Sequence, residues 1–490
     1  MNLDENWYEI LDLSQTASVE EIKQAYFEKA RQYHPDTNPS ELAKEWFLRV
    51  QQAYEVLSHP EKRKDYDKVL QKKSPPIDQI QIRTQLSTNT IQNINEPQML
   101  YAMLELSSLA KTEKIKRPIC HVCLVIDKST SMKGRRINMI AENIVKLTNQ
   151  LNENDLLSII TFNDKAEILL TPTPLEQINQ IYEKITTIHC SGGTEIYHGL
   201  KAGADILWGN HSQSGYSQLI LFTDGQTYGD EEACLELANK IHTKGVKINT
   251  VGIGHEWNDV FLDRLAGKTG GNTTFVSSSK DLSSFIQDFS NSLSQKIAGN
   301  VTLDIQLKNE IELKFLFRLH PEVTELLVEK PIALGDLYHQ KNSVFLAAFV
   351  IPPLKGNEKE LILAEGKIRF EIYEPERRKF SQSIVIKTEN RPEQENSSRA
   401  MVEALSRISI YQMQEKANAE VRAGQIDQAV NRLGSVSTQL FKLGISDVAQ
   451  KVINEAQLLK NSQKYSLEGD KQLKYGTRAL IAQNLEESMI

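Results

Sequence analysis

Cys123-Leu124-Val125-Ile126-Asp127-Lys128-Ser129-Thr130-Ser131 decides how the centre of this 490-residue chain is read. Four apolar residues run directly into a carboxylate and two hydroxyls at alternate positions. Beyond Gly134, the residues Ile137, Ile140, Ile144, Leu147 and Leu151 recur at steps of three and four, the spacing of one buried helix face. A buried strand followed by a helix places the loop between them at the carboxyl end of a parallel sheet, where open α/β sheets form their sites. A carboxylate and two hydroxyls in such a loop can converge on one small hard cation, which takes oxygen ligands in octahedral geometry.

Two further stretches add to this pattern. Ser191-Gly192-Gly193-Thr194-Glu195 offers a third hydroxyl, Thr194, on a glycine-flanked loop expected to be flexible and exposed, before a helical run from Ile196 to Trp208. Leu219-Ile220-Leu221-Phe222-Thr223-Asp224-Gly225 is a second buried strand that ends in a carboxylate. Together the three stretches resemble the von Willebrand factor A domain and its metal-ion-dependent adhesion site, over residues 117–297. All five metal positions of that family match: Asp127, Ser129, Ser131, Thr194 and Asp224. The resemblance implies a doubly wound α/β domain and Mg²⁺ (Mn²⁺ as a substitute) held directly by Ser129, Ser131 and Thr194, with Asp127 and Asp224 acting through water.

Residues 1–70 read as a small helical domain. Ser18-Val19-Glu20-Glu21 is a capping box. It opens a helix with Ile22, Ala25, Tyr26, Lys29, Ala30 and Tyr33 on one face. Asn38-Pro39 starts a second helix with Phe47, Val50, Tyr54 and Leu57 inward, and the two should form an antiparallel hairpin. The loop between them carries His34-Pro35-Asp36. With Trp7-Tyr8-Glu9-Ile10-Leu11, Ala53-Tyr54-Glu55-Val56-Leu57-Ser58 and Lys62-Arg63-Lys64-Asp65-Tyr66-Asp67, this region resembles the J domain of DnaJ-type co-chaperones. The resemblance implies that His34, Pro35 and Asp36 stimulate ATP hydrolysis by a DnaK-type chaperone, helped by the basic residues Lys23, Lys29 and Arg31. Phe27-Glu28 departs from the family, whose members often carry a basic pair there. Such charges steer association, so the departure bears on the strength of chaperone docking, while Lys23, Lys29 and Arg31 remain basic.

The remainder is expected in this order. Gln71-Lys72-Lys73-Ser74-Pro75-Pro76 (71–76) is a semi-stiff linker. Ile80, Ile82, Thr84 and Leu86 alternate, and an apolar run follows around Met99 to Leu106, so 77–116 holds the first strands of a β-sandwich. Alternation returns at Val301 to Leu307, Val344 to Val350, Ile368 to Ile372 and Ile384 to Ile386, so 298–389 holds the rest. The α/β domain is then an insertion, which costs little where domain termini lie close. The alternative is a sandwich wholly after residue 298 with an extended lead-in. Residues 396–463 read as helices, on Met401, Leu405, Ile408 and on Val430, Leu433, Val436, Leu440, with Gly424 and Gly444 as stops. The segment 464–490 reads as a polar, loosely held tail, with Lys474 to Leu480 able to dock. The fold class is thus multidomain: a small all-α J domain, an α/β domain inserted in a β-sandwich, and C-terminal helices. That order resembles bacterial proteins of the inter-α-trypsin-inhibitor-heavy-chain type.

Composition narrows the function. Hydrophobic residues at 40% and charged residues at 25% fit a globular chain, and a net charge of −7 argues against a nucleic-acid binder. No basic and apolar leader opens the sequence, and no apolar run of about 18 residues spans a membrane, so a cytoplasmic location is expected. Cys120 and Cys123 have zinc-knuckle spacing, but three residues apart on a strand they face opposite sides. No phosphate loop, nucleophile elbow or zinc-protease helix is present, and His255-Glu256-Trp257-Asn258-Asp259 lacks the second histidine. A non-enzymatic role follows. Neutral hydroxyl ligands would leave most of the Mg²⁺ charge uncompensated, so an Asp or Glu carboxylate from a protein ligand completes the octahedron. The reading is a co-chaperone that brings a DnaK-type ATPase to a partner held through Mg²⁺. The alternative is a non-enzymatic component of a larger machine, such as the partner of an AAA+ ATPase, with the J domain as a docking element.

Overall fold

The computed structural model describes residues 7–481 except 12, 14–16, 34–40, 74–79, 89–90, 92–93, 109–117, 176–177, 179–180, 210–214, 226, 228, 309, 340, 355–359, 374–376 and 390–398. His34, Pro35, Asp36 and the Asn38-Pro39 helix start lie outside the described residues. The chain divides into two units, one reaching residue 79 and the other built from residue 80 onward.

The first unit holds α1 (Trp7–Ile10), α2 (Val19–Gln32), α3 (Glu41–Leu57) and α4 (Pro60–Lys73). The expected capping box forms: Glu21 N donates to Ser18 Oγ at 3.2 Å, and Ser18 N donates to Glu21 Oε2 at 2.6 Å. Tyr26 stacks on Tyr54 with ring centroids 4.2 Å apart, and Tyr33 stacks on Trp46. Late residues of α2 therefore meet early residues of α3, which makes the pair antiparallel. Ile22, Val50, Ala53 and Leu57 close the core between them. α1 and α4 add what a two-helix reading lacks. Trp7 N donates to Tyr66 Oη at 2.9 Å, Tyr8 Oη donates to Asp67 Oδ1 at 2.8 Å, and Arg63 Nε donates to Tyr8 Oη at 2.8 Å. The expected linker is corrected at its start, because α4 runs through Lys73. Glutamine and lysine are good helix formers, and no breaker precedes Pro75.

In the second unit β1 (Ile80–Leu86) and β2 (Gln98–Ser108) come before an α/β layer. That layer comprises β3 (Cys120–Asp127), α5 (Arg135–Thr148), β4 (Leu156–Phe162), β5 (Ala166–Pro174), α6 (Ile181–Thr186), α7 (Ile196–Gly209) and β6 (Tyr216–Thr223). It continues with α8 (Glu231–Thr243), β7 (Val246–Ile253), α9 (Asp259–Gly267), β8 (Thr273–Val276) and α10 (Ser279–Gln295). The sheet order is β5-β4-β3-β6-β7-β8, parallel except for β5. Every residue of β3 and β6 is buried, as both faces of a parallel sheet must be. Cys120 packs with α5 and α10 on one face, and Cys123 packs with α7 and α8 on the other.

α10 leads directly into β9 (Lys296–Leu307), followed by β10 (Glu312–His320), β11 (Thr324–Glu325), β12 (Ile332–Tyr338), β13 (Ser343–Ile351), β14 (Glu360–Ile372) and β15 (Arg378–Glu389). These form a five-stranded sheet, β1-β2-β13-β10-β11, and a four-stranded sheet, β12-β9-β14-β15. β2 pairs antiparallel with β13, so strands on either side of the α/β layer share one sheet. Asp336 on β12 sits buried between Lys247 of β7 at 2.6 Å and Lys296 at 3.0 Å, an ionic tie from this region to the α/β layer.

The chain ends in α11 (Arg399–Arg422), α12 (Ile426–Lys442), α13 (Ser446–Ser462) and α14 (Gly469–Leu480). α11 lays Met401, Ala404, Ile408 and Tyr411 on the five-stranded sheet, against Phe317 and Leu346. Gly424 and Gly444 take φ of +75° and +76°, and Gln425 N and Ile445 N reach back to Glu420 O and Leu440 O, closing the helices before them. Of the two readings of the tail, loosely held or docked through Lys474 to Leu480, its described residues show the second: α14 is docked, with Leu473, Lys474, Thr477 and Arg478 buried. Its polar residues are satisfied by acids of α9, which a sequence scan for apolar faces does not register. Lys474 Nζ lies 2.6 Å from Asp259 Oδ2 and 2.8 Å from Asp263 Oδ2, and Arg478 Nη1 lies 3.1 Å from Asp263 Oδ1.

Candidate metal centre and its groove

All five predicted oxygen ligands gather at the carboxyl end of the central strands. Asp127 closes β3 and is fully buried; its Oδ1 accepts from Ser129 N at 2.7 Å and its Oδ2 from Thr223 Oγ1 at 2.7 Å. Burial pushes the Asp127 carboxyl up, and the bonds from Thr223 and Ser129 oppose that shift. These two bonds fix the turn that leaves β3 and aim Ser129 and Ser131 at one point, with their Oγ atoms 3.1 Å apart. Ser131 Oγ donates to Asp224 Oδ1 at 2.7 Å, which joins the loop after β3 to the end of β6. Thr194 completes the set from the loop before α7. A Cβ on Gly225 would stand 3.1 Å from Thr194 Oγ1, so the glycine leaves room for that hydroxyl beside Asp224.

The Thr194 loop differs from expectation in one respect. Thr194 is buried at 5% exposure, and its loop is tied down on both sides. Asn163 Nδ2 donates to Ser191 O at 2.8 Å, Gly193 N to Asp164 Oδ1 at 3.0 Å, and Thr130 Oγ1 to Gly192 O at 3.2 Å. Gly192 at φ +79° makes the bend, and a Cβ there would meet the Asp164 carboxylate.

The oxygens fit a small hard cation. Bonds of about 2.1 Å in octahedral geometry set neighbouring ligands about 3 Å apart, the spacing of the two serine hydroxyls. Asp224 Oδ2 is buried and meets the charge of Arg136, on the first turn of α5. Among the described residues no cluster of three His, Cys, Asp or Glu side chains could hold a metal. Arg136 also donates from Nη1 to Ser131 O at 3.2 Å. Nothing in the sequence pattern singles it out, because its role comes from an ion pair 88 positions long in the chain, counted from 136 to 224.

A groove of about 980 Å³ opens beside these ligands. It is lined by Ser129, Ser131 and Thr194, by the loop from His255 to Val260, and by Arg422, Asp470 and Lys471 of the C-terminal helices. Trp257 anchors that loop, donating from Nε1 to Gly254 O at 2.9 Å and packing on Tyr475. In the first unit, Lys23 and Arg31 stand exposed on α2, Lys29 is half-buried, and Phe27 is 58% exposed.

Residues 6–67 match the DnaJ domain model, and residues 121–289 match the von Willebrand factor type A domain model. The chain joins a DnaJ domain to a von Willebrand factor A domain. Residues 399–483 match the Sll0103-like C-terminal alpha-helical domain. The Synechocystis protein sll0103 is 26% identical over 279 residues, 55% of this chain and 66% of that protein. Inter-alpha-trypsin inhibitor heavy chain H4 of Bos taurus is 26% identical over 241 residues, 46% of this chain and 26% of that one. The chaperone protein DnaJ of Bacteroides thetaiotaomicron is 54% identical over 63 residues, 13% of this chain and 16% of that one. The chain thus spans less than two thirds of the length of each. In fold, a von Willebrand factor type A structure from Catenulispora acidiphila aligns with a TM-score of 0.62 at 15% identity, over 83% of this chain and 97% of that one.

Proposed function

We propose that this chain is a co-chaperone whose A domain holds a protein partner through a Mg²⁺-dependent adhesion site while its J domain brings a DnaK-type ATPase to that partner. The observation that carries the reading is the meeting of Ser129, Ser131 and Asp224 through a 2.7 Å and a 3.1 Å contact, in a chain that also carries a DnaJ domain. Asp127 and Asp224 orient the hydroxyls, and Thr194 closes the third side. Bound there, Mg²⁺ supplies a coordination position that an Asp or Glu carboxylate of the partner completes. The residues around the ion act by binding and orienting; no nucleophile or general base is assigned. The cytoplasm is the proposed location, and no described helix is long and apolar enough to cross a membrane.

Calorimetric titration of the full chain with Mg²⁺, with Ca²⁺ and in chelator, each followed by N-acetyl-aspartate amide, tests this reading. Asp224→Ala is expected to weaken Mg²⁺ binding about 10–100-fold, the usual loss when an orienting outer partner is removed. Thr194→Val keeps the side-chain volume at a buried position and is expected to lower metal affinity with an unchanged melting temperature. Equal binding of the carboxylate in chelator and in Mg²⁺ would end the adhesion reading.

One observation favours the second reading, in which the J domain is a docking element of a larger machine. Phe27, 58% exposed, and Glu28 stand where family members often carry a basic pair. Stimulated ATP turnover by a DnaK-type chaperone separates the two.

A further inference from the structure

The groove beside the metal ligands holds a second cationic feature that the five-residue site does not use. Arg422, the last residue of α11, keeps 51% of its side chain exposed and lines the same cavity as Ser129 and Ser131. Its one contact among the described residues is Nη2 to Asp259 Oδ1 at 3.3 Å. The other oxygen of Asp259 is already taken by Lys474 at 2.6 Å. A guanidinium has five N–H donors in a planar fork suited to a carboxylate, so most of this fork has no protein acceptor among the described residues. Lys471 stands beside it, its Nζ 4.9 Å over the Trp257 ring and 3.9 Å from Asp470.

We infer that the groove is a two-point receptor for an acidic peptide segment: one carboxylate at the metal hydroxyls and a second, a few residues along, on the Arg422 guanidinium. The inference deepens the adhesion reading and rests on it. About 980 Å³ lies near the top of the range for small-ligand sites, room for an extended segment rather than a single side chain. Val260, 41% exposed on the groove wall, offers an apolar contact to the residues between the two acids. A dense polyanion such as nucleic acid fits poorly, because Glu256 and Asp470 also line the groove and would repel continuous negative charge. Two separated carboxylates can reach the cationic points and leave those acids in water. The second point comes from the C-terminal helices, so the receptor is a composite of the A domain and α11.

The probes are synthetic peptides with an N-acetylated aspartate and a C-terminally amidated glutamate, separated by glycine spacers of increasing length. A matching set carries glutamine in place of glutamate. Each is titrated in Mg²⁺ into the full-length chain and into its Arg422→Gln and Arg422→Lys variants, with thermal melts to confirm folding. At one spacer length the glutamate peptide is expected to bind about tenfold more tightly than its glutamine twin, equal to about 1.4 kcal/mol. That preference should vanish in Arg422→Gln and survive in part in Arg422→Lys, which keeps the charge but loses the fork. Equal binding of the twins at every spacer length would overturn the two-point receptor and leave the adhesion reading standing. A preference that persists in Arg422→Gln would overturn the role given to Arg422. No Mg²⁺-dependent binding by any peptide would remove the adhesion reading, and this inference with it.

Discussion

At the scale of single residues, Arg136 supplies the counter-charge of Asp224. Asp224 is fully buried, and its Oδ2 pairs with the Arg136 guanidinium, which is 27% exposed. Removing one member of a fully buried ion pair costs about 3–5 kcal/mol, and the partial exposure of Arg136 reduces this to about 1–3 kcal/mol. Arg136→Ala is therefore expected to lower the melting temperature in chelator. A bound divalent ion would replace the missing positive charge, so Mg²⁺ should raise the melting temperature more in Arg136→Ala than in the parent chain. Paired melts with and without Mg²⁺ check this. An equal Mg²⁺ gain in both proteins would show that the arginine and the ion do not share a role. The five candidate metal positions are legible in the sequence because their spacing is local within each loop. Arg136 was not, since nothing nearby in the chain marks it as the partner of Asp224.

At the scale of elements, α14 locks onto α9 through buried charge. Burial pushes the Lys474 ammonium down, but Asp263, Glu415 and Asp259 hold it above its usual range. Burial likewise pushes Asp263 up, and Lys474 and Arg478 outweigh it, holding the carboxyl below its usual range. A depressed carboxylate contributes stability that is present above its unfolded value of about 3.9 and is lost as pH falls through the folded value. Glu415 runs the other way: burial, helped by Asp259 and Asp263, raises it, so its share of stability is lost as pH rises through the folded value and recovered toward about 4.3. The docked helix should therefore withstand mild acid. Lys474→Met leaves Asp259 and Asp263 without their shared cation, at a cost of about 3 kcal/mol. It also frees Asp263 to protonate at higher pH. Melts followed by circular dichroism between neutral and acidic pH should show the acid limb moved upward in the variant. Coincident acid limbs would mean that the cluster is held by packing on Tyr475 rather than by charge.

At the scale of the whole molecule, capture and chaperone stimulation should be separable functions. The DnaJ domain match ends at residue 67 and the A domain match begins at residue 121, and the two fall in different units. Asp36→Asn is expected to remove stimulation of a DnaK-type ATPase while leaving Mg²⁺ titration of the chain unchanged. Asp224→Ala is expected to do the reverse, with stimulation of free chaperone retained. Single-turnover ATP hydrolysis beside calorimetry distinguishes the outcomes, and loss of both activities in either variant would tie the functions together.

The sequence by itself determined the elements whose signal is local. Continuous apolar runs at 123–126 and 219–222 gave buried parallel strands, steps of three and four gave α5, and alternate hydroxyls gave the candidate metal loop. Strand alternation on both sides of the α/β layer gave the shared sheet, which the pairing of β2 with β13 bears out. Tertiary structure alone decided how charge is buried. Lys474 reads as part of a polar stretch able to dock, but only the fold brings it to Asp259, 215 residues away, and buries it there. Arg422 reads as the end of a helix, and only the packing of the C-terminal helices brings it into the groove of the metal hydroxyls. The reason is physical: hydrophobic periodicity is set by the geometry of each element, whereas the fate of a charged side chain depends on which distant element supplies its counter-charge.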